Sequence, residues 1–315
     1  MTTAPASPAA AGVIVAGPVY CDLLFAGLSG LPALGEECFA ERFLVSAGGS
    51  AITAIALRRL GRPVRLVARV GADAHGRLIR EALAREGLDT RWLAEHCDVA
   101  TPLTVVLSTP ADRAFVTYLD ERAVATALDD LLVEVLDEPP ARHLHVAGFP
   151  LAQRHPDVVE RAHAAGLTVS FDPGWDEAAL AAPAVRQVAL QADVLLPNRL
   201  EACRLLELAD TTSAQAALAT LADRRPDGVT VVKDGVAGAH GAAAGQRASA
   251  TPPCVRALDP TGAGDVFDAG FLDAYLEHRP LVACLERGVR SGAHATTAYG
   301  GASAAPYRAD LEEDA

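Results

Sequence analysis

Short apolar runs alternate with helical stretches along most of this 315-residue chain. The apolar runs are continuous and rich in Val and Leu, which is typical of strands in a parallel sheet that helices cover on both faces. Strands that alternate with helices predict βαβ units and a doubly wound, mostly parallel α/β fold. The predicted strands are Val13–Gly17, Val64–Val70, His143–Ala147, Leu167–Asp172, Asp193–Pro197 and Val229–Lys233.

The stretches between these strands are rich in Ala, Leu and Arg, and their apolar residues recur with a helical period. The predicted helices are Ser50–Leu60, His75–Glu86, Thr126–Val135, Asp157–Ala165, Glu177–Ala189, Leu200–Leu208, Thr212–Ala222 and Val266–Tyr275. Because 50% of the residues are hydrophobic, the chain can bury one large core. We predict a single domain over residues 13–305, with flexible ends at residues 1–12 and 308–315.

Two segments interrupt the alternation. Cys38–Val45 has the composition of a strand, and Leu103–Ser108 and Ala114–Leu119 read as a hairpin around the turn-like sequence Thr109–Asp112. Antiparallel pieces do not belong in a doubly wound sheet, so they predict either edge hairpins or a small separate sheet.

Composition excludes several classes of protein. A net charge of −13 argues against nucleic acid or an anionic membrane as the main partner. The six Cys form no C-x-x-C pair and the nine His show no metal-binding spacing, so we expect reduced thiols in a cytoplasmic protein. No G-x-x-x-x-G-K-[ST] occurs, which excludes a P-loop kinase, and no G-x-G-x-x-G follows the first strand, which disfavours a dinucleotide dehydrogenase.

The most informative short stretch is Leu258–Phe271, with the sequence LDPTGAGDVFDAGF. The amides of Gly262, Ala263, Gly264 and Asp265 would lie unpaired at the start of the predicted helix, where the helix dipole favours an anion. A carboxylate is repelled by a bound phosphate unless it has a chemical role, and accepting a proton from an attacking hydroxyl is such a role. The alternative is that Asp265 caps the helix.

Two further elements have the composition of a ligand site. In Ser46–Ala54, the pair Gly48–Gly49 at a helix start permits close approach of a ligand, although Ser50 could act as a plain N-cap there. Asp22 follows the first strand, where its carboxylate could accept two neighbouring hydroxyls or could be an ordinary loop residue.

Asn198 and Glu201 begin a predicted helix after a strand. Oxygen ligands at this position suit Mg²⁺, and the same spacing is that of a capping box, so the two roles are compatible. Asp172 also ends a strand, and its role is open between a contact near bound magnesium and a turn cap.

Asp259–Phe267 matches without a gap the C-terminal signature of the ribokinase (PfkB-type) family of small-molecule kinases, close to Asp-x-Thr-Gly-Ala-Gly-Asp-x-Phe. Ser46–Ala54 resembles the family's N-terminal signature, and Gly71–Gly76 resembles a family turn in which we expect Asp73 to cap a helix. The resemblance extends from Val13 to about Ala304.

The resemblance implies transfer of the γ-phosphoryl group of ATP to a hydroxyl of a sugar or sugar derivative. Asp265 would be the general base, and the amides of Gly262, Ala263 and Gly264 would stabilise the transferring group. The residues that would face the acceptor are Asp22, Gly48, Gly49 and Thr53. Most relatives carry Asn where this chain has Thr53 and an acid near Gly148, so the identity of the acceptor is open.

The resemblance also implies cofactor sites. Asn198 and Glu201 would organise Mg²⁺, mostly through water. The nucleotide side would include Lys233, Gly235, Gly238, Thr261 and Gly301. In some relatives the loop at Gly301, with residues near Asp259, holds a monovalent cation such as K⁺.

A small sheet formed by residues of about 20–45 and 100–120 would be a lid that covers the substrate and often mediates homodimer contacts. Aromatic residues in this lid (Phe43, Phe115 and Tyr118) leave open a nucleoside kinase on the same fold. A non-catalytic sugar-binding or regulatory protein is the further alternative.

Overall fold

A computed structural model describes residues 12–109, 112–125 and 141–312. Its strands, in chain order, are β1 (Gly12–Ala16), β2 (Val19–Ala26), β3 (Arg42–Gly49), β4 (Val64–Gly71), β5 (Leu93–His96), β6 (Leu103–Ser108), β7 (Arg113–Tyr118), β8 (Ala141–Ala147), β9 (Thr168–Asp172), β10 (Val194–Leu195), β11 (Val229–Lys233), β12 (Ala239–Ala243) and β13 (Gln246–Ala250). Its helices are α1 (Ser50–Arg59), α2 (Ala74–Arg85), α3 (Glu121–Ala125), α4 (Phe149–Arg154), α5 (Val158–Ala164), α6 (Glu177–Ala181), α7 (Pro183–Gln191), α8 (Arg199–Leu206), α9 (Ala214–Arg224), α10 (Ala263–Leu276), α11 (Leu281–Ala295) and α12 (Arg308–Glu312).

The large sheet has the strand order β13-β12-β11-β10-β9-β8-β1-β4-β5. From β11 to β5 all neighbouring strands are parallel, and β12 and β13 add an antiparallel edge. The order reverses at β1, which pairs with β4 on one side and β8 on the other. In open α/β sheets ligands bind outside the carboxyl ends of the strands at such a point. The predicted mostly parallel α/β fold is confirmed.

Two apolar layers cover the two faces of this sheet. Successive side chains of a strand point to opposite faces, so Val13 and Val15 of β1 pack in the layer with α1, α10 and α11. Ile14 and Ala16 pack in the opposite layer with α7, α8 and α9. The first layer places the start of α10 beside the last residues of β9 and β11.

The small sheet has the order β3-β2-β6-β7 and stands apart from the large one. In its register Asp22 lies between Ser46 of β3 and Thr104 of β6, so these three side chains share one face. The pairing of Ser108 with Arg113 confirms the predicted hairpin, whose residues 110 and 111 lie outside the described residues. This sheet corresponds to the predicted lid.

Strand β3 begins later than predicted, at Arg42 instead of Cys38, and runs to Gly49. The strand begins at Arg42 because this residue pairs with Ala26, where β2 ends. It extends to Gly49 because the Gly48–Gly49 pair is itself paired with the start of β2, so that the strand continues directly into α1. The predicted helix Glu177–Ala189 is two helices, because Pro183 begins α7 and the preceding Ala182 is extended.

Two predictions concern the ends of the chain and the middle segment. Residues 308–312, placed by the sequence in a flexible end, form α12, and Arg308 donates hydrogen bonds to Leu60 O and to the Asp273 carboxylate. The predicted helix Thr126–Val135 lies outside the described residues. Within the described ranges no helix has both the length and the apolar character needed to span a membrane.

Candidate active site

The predicted anion cradle lies at the start of α10. The helix begins at Ala263, before the predicted Val266, and Gly262 precedes it in the left-handed region with φ 73°. The Ala263 amide already donates to Pro260 O over 3.2 Å, which corrects the expectation that this amide is available. The amides of Gly264 and Asp265 lie in the first turn, where no intrahelical carbonyl precedes them.

Asp259 joins the cradle to the loop that follows α11. Its carboxylate is fully buried and accepts hydrogen bonds from the amide and hydroxyl of Thr261, at 3.0 and 2.6 Å, and from the Gly300 amide at 3.0 Å. A Cβ on Gly262 would lie 2.9 Å from Gly301 Cα. The two glycine loops are therefore in contact, and Thr261 and Gly301, which the sequence assigns to the nucleotide side, lie together.

Asp265 occupies the first turn of α10 without capping it, since the helix has no side-chain cap hydrogen bond. Thr53 of α1 donates its hydroxyl to Asp265 Oδ1 over 3.4 Å. Burial, and next the charge of Asp172, raise the pKa of Asp265 to about 7, while Lys233 and the Thr53 hydrogen bond oppose the rise. A carboxylate with a pKa close to neutral is suited to accept a proton in this pH range.

Asp22 of β2 lies within electrostatic reach of Asp265. Burial, followed by the charges of Asp265 and Asp259, raises the pKa of Asp22 to about 7. A Cβ on Gly48 would overlap the Asp22 carboxylate, so only glycine leaves room for that carboxylate. Gly49 has φ 62° and a Cβ there would lie 2.5 Å from Pro18 O. The predicted acceptor residues Asp22, Gly48, Gly49 and Thr53 thus meet near Asp265.

Ser50 does not cap α1. Its hydroxyl donates to Gly17 O and Pro18 O, both at 3.0 Å, and fixes the junction between β1 and the small sheet. Ser46, which the sequence did not single out, has a buried hydroxyl with no hydrogen-bond partner among the described atoms, on the face that carries Asp22. No sequence signal separates it from an ordinary strand serine.

Asn198 and Glu201 form the capping box that the spacing predicts. The Asn198 side chain accepts from the Glu201 amide at 3.0 Å, and Glu201 Oε2 accepts from the Asn198 amide at 2.7 Å. Burial and the charge of Asp172 raise the pKa of Glu201. Over the described ranges no group of three or more His, Cys, Asp or Glu side chains could hold a metal directly.

The turn after β11 is open to solvent at one glycine and closed at the other. A Cβ on Gly235, φ 56°, would meet no atom within 4 Å, whereas one on Gly238, φ 95°, would overlap Ala250 O. The Asp234 amide closes the turn by donating to Gly238 O at 2.8 Å. Gly235 therefore leaves space for a ligand, and Gly238 is required by the packing of β12 against β13.

Lys233 is buried in an ion-paired cluster and does not extend into solvent. Its Nζ lies 3.1 Å from Asp172 Oδ2 and 3.0 Å from Asp268 Oδ1. Sequence reasoning left Asp172 unassigned and did not consider Asp268. The overlooked signal is a second carboxylate one helical turn after Asp265, in a helix that is mostly apolar.

Comparison with known proteins identifies the family. The family model described as "pfkB family carbohydrate kinase" matches residues 35–308. A fructokinase from Klebsiella pneumoniae is 30% identical over 86% of this chain and 92% of that protein, and a ribokinase from Haemophilus influenzae is 27% identical over 89% and 90%.

The structure of Arabidopsis thaliana ribokinase complexed with ribose and ATP shares the fold, with a TM-score of 0.80 and 24% identity over 96% of this chain and 98% of that one. Three findings agree on the family: this fold, the glycine-rich start of α10 and the extent of the family match. The chain belongs to the pfkB family of carbohydrate kinases, phosphotransferases that act on an alcohol group.

Proposed function

We propose that this protein is an ATP-dependent kinase that transfers the γ-phosphoryl group to a hydroxyl, most simply a primary alcohol, of a sugar or sugar derivative. The observation that carries the proposal is the position of Asp265. This carboxylate lies in the first turn of α10, next to the Gly264 amide, and its pKa is raised to about 7. An anion site and a base are thereby held next to each other.

In the proposed reaction, the acceptor oxygen attacks the γ-phosphorus, its proton passes to Asp265, and ADP leaves. Positioned general bases contribute on the order of 10²–10⁴-fold in rate. The amides of Gly262 and Gly264 stabilise the charge on the transferring group, and losing one such donor typically costs roughly 3–4 kcal/mol. Ala263 contributes through the helix turn, because its amide is engaged with Pro260 O.

The acceptor is held by Asp22 and Thr53 above the Gly48–Gly49 backbone. Asp22 and Asp265 each have a raised pKa partly because another carboxylate is near. Hydroxyl groups placed between the two carboxylates supply donors and relieve this repulsion. The unpartnered Ser46 hydroxyl on the same face offers a further hydrogen bond to a polyol.

The nucleotide lies, in this proposal, along the turn containing Gly235 and Gly238 and the loops of Thr261 and Gly301. Lys233 lies beneath this region, in the interior of the protein.

The resemblance also implies a monovalent cation such as K⁺ at the Asp259 loop. Comparing activity in KCl with activity in tetramethylammonium chloride tests whether this chain requires it.

The residues at the start of α8 fit Mg²⁺ held through water. The capping box engages one Glu201 oxygen and the Asn198 side-chain oxygen, which leaves the second Glu201 oxygen to accept from a metal-bound water. Mg²⁺ keeps several waters in its sites, consistent with this donor set. When bound, the ion neutralises phosphate charge.

The small sheet is proposed to act as a lid and as a homodimer contact. Its Asp22 face is turned to the active site, and closure there excludes water from the phosphoryl group.

The opposite face carries four apolar side chains that are 42–65% exposed, namely Phe43, Val45, Val116 and Tyr118. Light scattering of the wild type and of Val116→Lys tests this contact, with a monomer expected for the variant.

The faces of the small sheet favour a sugar over a nucleoside. A nucleoside kinase would stack the base on aromatic rings of the lid, but Phe43 and Tyr118 lie on the face opposite Asp22. Phe115 is the candidate that shares the Asp22 face. Nucleosides therefore enter the test as the alternative acceptors.

The test is ADP release from Mg·ATP across pentoses, hexoses, ketoses, sugar phosphates and nucleosides, with Asp265→Asn as the matched variant. The expected result is turnover with a sugar that falls at least 100-fold in Asp265→Asn at unchanged melting temperature. Full turnover in that variant would exclude Asp265 as the base. Absence of ATP binding by the wild type would favour the non-catalytic alternative.

A further inference from the structure

A cluster of buried ionisable side chains lies directly beneath the anion cradle. Asp268 is fully buried, and both of its carboxylate oxygens lie within 3.1 Å of Lys233 Nζ. Asp172, at the end of β9, contacts the same nitrogen at 3.1 Å. The lysine side chain is 11% exposed, and its ammonium group is held by two carboxyl groups that also contact each other, one on the sheet and one on α10.

The clamped ammonium group also lies next to the cradle. A Cβ added to Gly264 would lie 3.6 Å from Lys233 Nζ. The charge of Lys233 is therefore close to the first turn of α10, where the amides face the proposed phosphoryl group. It also acts on the neighbouring Asp265, whose pKa it lowers.

The cluster places several carboxyl groups around one ammonium group. Asp268 is hydrogen-bonded to Asp172 as well as to Lys233, and burial raises the pKa of Asp268; Glu201 and Asp265 lie within electrostatic reach. A phosphoryl group that gains negative charge next to these carboxylates is repelled in a buried site, where Coulomb interactions are strong. The ammonium group clamped by Asp172 and Asp268 opposes that repulsion without moving during the reaction.

We infer that Lys233 is a positioning residue of the phosphoryl transfer: held by Asp172 and Asp268, it keeps a fixed positive charge beneath Gly264 that supports Asp265 and the cradle in the transition state. It does not act as a ligand of bound ATP, although the resemblance includes it among the residues of the nucleotide side. This inference rests on the proposed function.

A purely structural role is the competing explanation, because an unpaired buried carboxylate is destabilising. Lys233→Met leaves Asp172 and Asp268 facing each other and can fail for that reason alone. Lys233→Met/Asp268→Asn removes the ammonium group together with one of its two carboxyl partners, so only Asp172 loses its counter-ion and an amide remains beside it. Asp268→Asn completes the double-mutant cycle.

The experiment measures thermal unfolding, kcat, and KM for ATP and for the acceptor in all four proteins. We expect the double variant to recover the melting temperature that Lys233→Met loses, while its kcat stays about 100-fold below wild type and its KM for ATP remains within about threefold. Recovery of kcat together with stability would show Lys233 to be only a counter-ion, and would overturn the inference.

A second contradicting result is a large rise in KM for ATP at unchanged kcat, which would make Lys233 a ground-state ligand. If the proposed function itself is wrong, the wild type will not phosphorylate any acceptor. That outcome would overturn both proposals. Wild-type turnover with recovered kcat in the double variant would overturn only this one.

Discussion

The hydroxyl of Thr53 on α1 donates a 3.4 Å hydrogen bond to the carboxylate of Asp265 on α10, which lies 212 residues further along the chain. This bond links the two stretches that resemble the family's signatures, and it lowers the pKa of Asp265 against the stronger effect of burial. It therefore connects a residue proposed to face the acceptor to the residue proposed as the base.

Thr53→Val should move the acid limb of the kcat/KM profile to higher pH. The reactive form of Asp265 is the carboxylate, so activity falls as the pH drops below its pKa of about 7. Losing the Thr53 hydrogen bond raises that pKa further. Thr53→Ser keeps a hydroxyl and should keep the wild-type limb; a limb that moves to lower pH in Thr53→Val would contradict the role of this bond.

Asp22→Asn should move the same limb in the opposite direction. The charge of Asp265 raises the pKa of Asp22, and by reciprocity Asp22 raises that of Asp265, so the two carboxylates titrate as a coupled pair. Removing one charge lets the other ionise at lower pH. The measurement is the kcat/KM profile from pH 5 to 9 at saturating ATP, and an unchanged limb would show that the pair is uncoupled.

Gly48→Ala should weaken acceptor binding specifically. The added Cβ would overlap the Asp22 carboxylate, which must then leave its position over the Gly48–Gly49 backbone. We expect KM for the acceptor to rise about tenfold or more and KM for ATP to stay within about twofold, since a displacement of about 1 Å can cost 10²-fold. Gly30→Ala is the matched control, because a Cβ there would meet no atom within 4 Å. Equal effects of both variants would refute the assignment.

The fold and most of the proposed site residues can be predicted from the sequence because each depends on local signals. Continuous apolar strands, the Gly-Ala-Gly-Asp stretch and the Asn198–Glu201 capping box can all be read within a few residues. The clamp on Lys233 could not be read in this way, because its partners Asp172 and Asp268 come from distant parts of the chain and meet only when the sheet packs on α10.

The contacts of the C-terminal tail could not be predicted for the same reason. Arg308 and Asp310 belong to a polar, acidic stretch that predicts solvation, and nothing local shows that Arg308 pairs with the buried Asp273. The break within Glu177–Ala189, by contrast, can be predicted from the sequence, because Pro183 disfavours a helical conformation of the residue before it.

Arg62→Met should destabilise the fold more than Arg308→Met. Both guanidinium groups bind the Asp273 carboxylate, at 2.7 and 2.8 Å, but Arg62 is 4% exposed and Arg308 is 38% exposed. Breaking an isolated buried pair costs about 3 kcal/mol or more, and an exposed pair contributes about 1 kcal/mol or less. Because Asp273 keeps Arg287 and Arg308 when Arg62 is removed, we expect the loss in Arg62→Met to lie between these two values. Urea unfolding of both variants gives the comparison, and equal losses would show that burial does not set the strength of these pairs.

His145→Gln should reduce the loss of stability at acid pH. His143 and His145 are fully buried on β8, with Ser170 Oγ 2.8 Å from a ring nitrogen of each, and burial lowers their pKa values to about 3 and about 4. Below pH 6.5 the unfolded chain protonates these rings and the folded protein does not, so each destabilises the fold by about 1.4 kcal/mol per pH unit until its folded pKa is reached.

The raised pKa values of Asp22 and Asp265 act in the opposite sense, because the folded protein binds those protons first as the pH falls from about 7. The effect of His145 must therefore be read as the difference between wild type and variant in urea unfolding at pH 6.5, 5.5 and 4.5. We expect this difference to change steadily in favour of His145→Gln as the pH falls. Parallel curves for wild type and His145→Gln would mean that folding does not lower the pKa of His145.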